Sequence, residues 1–299
     1  MKKIKLIPFI FALLLFFGCE QEVLELQPPP EPSGEPGSAD FTNFVAIGNS
    51  LTAGLQAAAL FNEGQQNSFP AIMAGQFALV STNDEFDQPD INSVNGYNSL
   101  FSNPQQGIIR GRLILFDPDG GGPIGPGPAP AGTPGIPAPY NTADLPTPYT
   151  GDKTELNNFG VPGIILAQAL TPLTGGPSTG NPAYNPLYAR FASQPGVSTI
   201  LGDALATDPT FFAFWLGTND VLGFATTGGI GAVPLTEPVV FDGQYKTAIE
   251  QILSSDQNLK GIVANIPDIT RTPFFTTIAH NAIPLDNATA AQLNNGFGG

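Results

Sequence analysis

One cysteine and one histidine stand in the 299 residues, and lysine and arginine together number only 10. A lone cysteine excludes an internal disulfide framework. The shortage of cations, set against 25 aspartates and glutamates for a formal net charge of -15, argues against nucleic acid or an anionic membrane surface as a partner. The apolar run from Leu6 to Phe17 is too short for a comfortable membrane span. No internal repeat is visible.

What is present points to a globular body. Hydrophobic residues make up 41% of the chain, enough for a full core in one domain of roughly 250 residues. With Gly 35 and Pro 31, both above average usage, long irregular connections are expected. The N-terminus, MKKIKLIPFIFALLLFFGCEQE, sets lysines before the apolar run and Gly18 before Cys19, the layout of a secretory signal. A small residue directly before a cysteine resembles a bacterial lipoprotein signal, with Phe16 where such signals usually carry Leu. That resemblance implies a mature protein lipidated at Cys19, in the outer membrane or at the cell surface, facing periplasm or exterior. The alternative is an ordinary secretory signal with an incidental cysteine, and a soluble cytoplasmic protein fits worst. Residues 20–40, proline- and acid-rich with little to bury, read as a solvated tether, so the folded part begins near Phe41.

Three apolar runs read as strands buried on both faces: Phe44 to Ile47, Phe211 to Leu216, and Gly261 to Ile266 closed by Pro267. Helices are expected between them, at Leu51 to Phe61, Phe69 to Phe77, Ile164 to Leu170, and Tyr245 to Leu253. In the last, Ile249, Ile252 and Leu253 fall on one stripe. Alternating strands and helices argue for an α/β protein with an open, doubly wound parallel sheet. The stretch 117–150, DPDGGGPIGPGPAPAGTPGIPAPYNTADLPTPYT, has no pattern of a regular element and reads as a flap over a site or an inserted loop.

Each strand is followed by small or polar residues, where a parallel sheet presents its functional edge. In FVAIGNSLTAG, Ser50 stands at a strand-to-helix junction between Gly48 and Gly54. Its hydroxyl is either a nucleophile beside backbone N–H groups or a helix N-cap. In NFGVPGIILAQ, Gly163 opens a second junction, and in FWLGTND, Asn219 follows the second strand. A backbone N–H and a side-chain amide are neutral donors of the kind that stabilise an oxyanion as it forms. Both also have plain readings, as a turn after Pro162 and as a turn in which Asn219 and Asp220 satisfy their own backbone.

GNSLTAG, NFGVPG and GTND, in this order at strand ends, resemble the SGNH (GDSL-type) serine hydrolases across about residues 41–268. The resemblance implies a flavodoxin-like three-layer sandwich with a parallel sheet, hydrolysing ester and related acyl bonds with no metal or organic cofactor. Of the family's four invariant residues, the serine, glycine and asparagine map onto Ser50, Gly163 and Asn219. Asn49 stands where many members carry Asp. The GxSxG elbow of α/β-hydrolases is absent. The family takes its base from an Asp-x-x-His block before a final helix, and this sequence has none. His280 has Thr277 three positions earlier and follows too soon after Ile266. The expectation is therefore that domain 41–299 is incomplete, with the base beyond residue 299 and these residues alone inactive. The substrate is expected to be a small-molecule, lipid or carbohydrate ester. The competing function is a surface lipoprotein that keeps the fold and binds without turnover.

Overall fold

FVAIG, Phe44–Gly48, forms strand β1 with all five residues buried, as a continuous apolar run requires. The computed structural model describes residues 34–83, 85–231, 233–277 and 286–297. The chain divides into two compact units, Met1–Glu35 and Pro36–Gly299. The signal, Cys19 and most of the tether fall in the first unit and lie outside the described residues. His280, in the second unit, lies outside them too.

In the second unit β1 is followed by α1 (Ser50–Ala53), α2 (Asn62–Gln66), α3 (Phe69–Phe77), β2 (Leu113–Phe116), β3 (Gly127–Pro130) and β4 (Asn158–Gly160). Then come α4 (Leu166–Ala169), α5 (Pro186–Ala189), α6 (Ile200–Leu205), β5 (Phe211–Trp215), α7 (Thr218–Thr226), α8 (Pro238–Ser255) and β6 (Lys260–Val263). Four strands form one parallel sheet in the order β4-β1-β5-β6, and β2 and β3 form a separate antiparallel pair. The α/β class and the parallel sheet expected from the apolar runs are what the chain adopts.

Side-chain alternation splits β1 and β5 between two cores. Val45, Ile47, Phe212 and Phe214 face a cluster that includes Leu201 of α6 and Ala248 and Ile252 of α8. Phe44, Ala46, Phe211 and Ala213 face the other way, onto Phe69, Met73 and Phe77 of α3. On that side Phe41 stacks on Phe77 with ring centroids 4.1 Å apart, and Trp215 meets Phe69 edge-on at 5.5 Å. Trp215 is half-buried there, at the rim of this core.

Four expectations need correction. The helix expected over Leu51 to Phe61 ends at Ala53, because Gly54 turns left-handed with φ 79°. A Cβ there would come within 2.4 Å of the Gly64 carbonyl oxygen, so the chain leaves the helix to let two backbones touch. The third apolar run is a strand only over Lys260–Val263, and all four of its residues are exposed. On α8, Ile252 is buried and Ile249 packs against the core, but Leu253 points to solvent. The stretch 117–150 contains a strand after all: β3 pairs with β2 in the register Leu113↔Pro130 and Phe116↔Gly127. Pro128 and Pro130 are two residues apart and Ala131 N–H donates to Arg112, so both ring nitrogens face away from the partner and no ladder donor is lost. Strand β4 lies within the NFGVPG motif, which the resemblance put at a strand end although no apolar run marks a strand there; three residues, one an asparagine and one a glycine, carry no strand pattern.

Candidate functional site

Parallel pairing brings three strand ends level. Gly48 is in register with Gly160 on one side and with Trp215 on the other. Ser50, Gly163 and Asn219 follow these residues by two, three and four positions, so all three fall at one carboxyl edge of the sheet.

Ser50 is the first residue of α1, not its cap. That role belongs to Asn49, whose buried side chain accepts from Leu51 N–H at 3.1 Å. The reading of Ser50 as an N-cap is therefore set aside. Its hydroxyl is half-buried and makes no hydrogen bond among the described residues, while its N–H belongs to the first helical turn, which has no partner within the helix.

Close backbone contact fixes this turn against the neighbouring strand. A Cβ on Gly160 would lie 2.2 Å from Ala53 N, and one on Gly48 would lie 1.9 Å from Thr52 Oγ1, so both positions require glycine. Asn158, buried on β4, donates to the Thr52 carbonyl at 2.9 Å and accepts from Gly160 N–H. Val161 N–H donates to the Gly48 carbonyl at 3.0 Å.

Gly163 has φ 82° and open space where a side chain would stand, so its backbone is exposed and left-handed at once. The turn reading and the donor reading hold together: the conformation needs glycine, and its N–H has no acceptor among the described residues. Asn185 donates to the preceding Pro162 carbonyl at 2.8 Å and steadies the loop.

Asn219 reaches this loop directly. Its side-chain nitrogen donates to the Ile164 carbonyl at 2.8 Å, which orients the amide and leaves a second N–H on the same nitrogen. Asp220 does not close a turn of its own. Its buried carboxylate accepts from Leu166 N–H and from Thr236 Oγ1, each at 2.9 Å, bridging α7 to the start of α4 and to the segment before α8. Burial raises its pKa, opposed by those two donors. Sequence reading missed this bridge; the only sign was a carboxylate followed by apolar residues in DVLGF. Asp268, in contrast, accepts from Thr270 N–H at the start of a short 3₁₀ turn.

The stretch 117–150 bonds to Asn95, Gly96 and Arg190, and none of those bonds reaches Ser50, Gly163 or Asn219. A cavity of about 670 Å³ opens on the other side of Asp220, between α7, α8 and the ends of β5 and β6, with Leu216, Val221, Phe241, Tyr245 and Ile266 in its wall. Among the described residues no cluster of His, Cys, Asp or Glu could hold a metal ion, and no helix is long and apolar enough to cross a membrane.

The arrangement offers one free hydroxyl beside neutral donors on two neighbouring loops. That set suits addition to a carbonyl, where charge develops on oxygen. No protein-family model, curated protein or solved structure matches the chain.

Proposed function

We propose that this chain is a serine esterase of the SGNH type, acting on acyl or acetyl esters at the cell envelope and anchored by lipid at Cys19. One observation carries the reading: three motifs far apart in sequence end at level, adjacent strand ends, and the Asn219 amide is bonded to the Gly163 loop. Strand order supports it too. Numbered along the chain, the parallel strands run 2-1-3-4, the first four positions of the flavodoxin-like order 2-1-3-4-5, and the two core clusters suit a three-layer sandwich.

In this mechanism Ser50 Oγ bonds to the ester carbonyl carbon while its proton passes to a base. The carbonyl oxygen, now negative, takes hydrogen bonds from the N–H groups of Ser50 and Gly163 and from the second amide hydrogen of Asn219. Collapse breaks the bond to the alcohol, which leaves with the proton, and water then releases the acid. A neutral hydroxyl without a base is a poor nucleophile, and removing a triad member costs several orders of magnitude. The reading thus requires an imidazole from an Asp-x-x-His block, which residues 1–299 do not contain.

Residues 20–299 alone are expected to hydrolyse p-nitrophenyl acetate no faster than their Ser50→Ala variant. The deciding experiment is fluorophosphonate labelling of the protein in its native envelope, followed by peptide mapping. Label on Ser50 supports the esterase, and an unlabelled Ser50 favours a binding lipoprotein on the same fold.

A further inference from the structure

Beyond β4, on the side of the sheet away from β5 and β6, segment 86–90 and α2 frame another cavity. Its volume of about 300 Å³ falls at the lower end of the range of small-molecule sites. Asp87 bridges Leu156, two residues before the Asn158 that pairs with Ala46, so this wall stands level with the amino end of β1. Two strand spacings and about six residues of strand rise separate Asp87 from Ser50, roughly 20 Å in all. Every residue of the lining is among those described.

The lining is oriented by its own bonds and still keeps polar groups spare. Gln65 donates to the Pro89 carbonyl and accepts from Ile91 N–H, which fixes the buried side of the cavity. Gln88 donates to the Gln65 carbonyl and accepts from Asn158. Asn62 accepts from Ser93 N–H through Oδ1 and keeps its amide nitrogen free. Asp90 accepts from Asn92 N–H through Oδ1 and keeps Oδ2. Among the described residues, the side chains of Gln66 and Asp87 and the Tyr149 hydroxyl make no hydrogen bond. Two half-buried rings complete the wall: Tyr149, and Phe86 stacked on Phe44 at 5.7 Å. Burial, and then the charge of Asp87, raises the Tyr149 pKa, so its hydroxyl keeps the proton and can donate.

That lining selects by exclusion. It holds no aliphatic side chain and no lysine or arginine, so neither a hydrocarbon nor an anion is matched. The carboxylates do not make it a cation site: the buried Arg190 guanidinium donates to the Asp90 carbonyl, and its charge offsets that of Asp90. What fits is an uncharged molecule with many hydroxyls and an apolar face. Hydroxyls meet the carboxylates, the free amides and Tyr149, while C–H bonds lie on the rings. We propose that this cavity binds one pyranose ring of a neutral carbohydrate, at a site separate from the serine edge. The inference stands whether or not the esterase reading does. Such a site holds the chain on a glycan without turning it over.

The test is saturation-transfer NMR on the full protein, kept in a detergent without a sugar headgroup. The probes are the methyl glycosides of glucose, galactose, mannose and N-acetylglucosamine, with galacturonic acid and tetramethylammonium as charged counterparts. Maltohexaose and cellohexaose, whose rings lie within a chain, tell a polymer from a free sugar, and binding by either form supports the site. At least one neutral sugar is expected to bind with Kd below about 10 mM, and galacturonic acid is expected not to bind. Asp87→Ala and Gln66→Trp, at side chains that hold nothing else in place, are each expected to weaken binding about tenfold while keeping the wild-type urea midpoint. Binding by no neutral sugar overturns the inference, as does binding that neither variant weakens. Galacturonic acid binding as tightly as methyl galactoside overturns it too. So does a response to tetramethylammonium stronger than to any sugar, which would make this a site for organic cations.

Discussion

The serine-bearing edge of the sheet and the proline-rich stretch from 85 to 150 are held by opposite means. At the edge, backbone pairs with backbone: β1 exchanges ladder bonds with strands on both sides, and glycines at 48 and 160 let α1 lie directly on β4. In the stretch from 85 to 150, only the short β2–β3 pair is a ladder. Proline has no N–H, so a proline-rich backbone has more acceptors than donors. Buried side chains make up the difference. Asn95 donates to the carbonyls of Pro139 and Thr142, and Arg190 donates to those of Pro89, Asp90 and Thr147. Arg112 lies over the Phe61 ring at 4.5 Å and the Tyr140 ring at 5.4 Å, joining this stretch to the start of α2 by its flat face. Irregular backbone is thus fixed here by a few polar side chains, where the sheet relies on many equivalent bonds.

That contrast can be broken from its strongest point downward. Arg190→Met should be the most damaging change, costing about 3 to 5 kcal/mol in urea unfolding, because it strands carbonyls beneath a buried position. Burial lowers the Arg190 pKa to about 10, still well above neutral, so the charged fork is what the wild type uses. A loss under about 1 kcal/mol would mean that the loops hold themselves. Gly160→Ala should cost about 3 kcal/mol through overpacking, and it should also slow labelling of Ser50, since the α1 backbone must retreat. Stability loss with unchanged labelling would uncouple that glycine from the serine. Asn95→Ala should cost about 2 kcal/mol and leave Ser50 labelling intact, because its bonds stay within the proline-rich stretch.

Asp220→Asn probes the site side at about 1 kcal/mol, and its pH dependence sharpens the comparison. The pKa of Asp220 is raised in the folded chain, so that state binds the proton more tightly than the unfolded one. The wild type therefore gains stability from this group as pH falls and loses it as pH rises through the folded pKa. The deficit of the amide variant, measured by urea unfolding from pH 7 to pH 4, should widen toward the acid end. The smallest effect belongs to Ser50→Ala, expected within about 0.5 kcal/mol of wild type because its hydroxyl holds nothing in place. By contrast Asn49→Ala should cost about 1 kcal/mol through the lost cap.

Sequence pattern revealed the parts that repeat a simple rule. Phe44–Gly48 and Phe211–Trp215 are legible because a strand covered on both faces must be apolar throughout, and Pro70 suits the first turn of α3. The positions of Ser50 and Asn219 at strand ends followed from those runs, whereas that of Gly163 rested on the resemblance of NFGVPG alone. The end of α1 did not, since alanine and leucine past Gly54 favour helix locally and only the contact with Gly64 overrides them. Strand β4 is too short and too polar to signal itself, and it exists because β1 offers a free edge there. The bridge from Asp220 to Leu166 joins residues 54 apart, a distance over which no local pattern carries information.

The sequence has a single tryptophan, and it sits at the carboxyl end of β5, four residues before Asn219, with its ring against Phe69. Intrinsic emission excited at the red edge therefore originates wholly from this rim. Its shifts and quenching by small solutes offer an optical readout of whatever disturbs the turn between β5 and α7, without any label being attached.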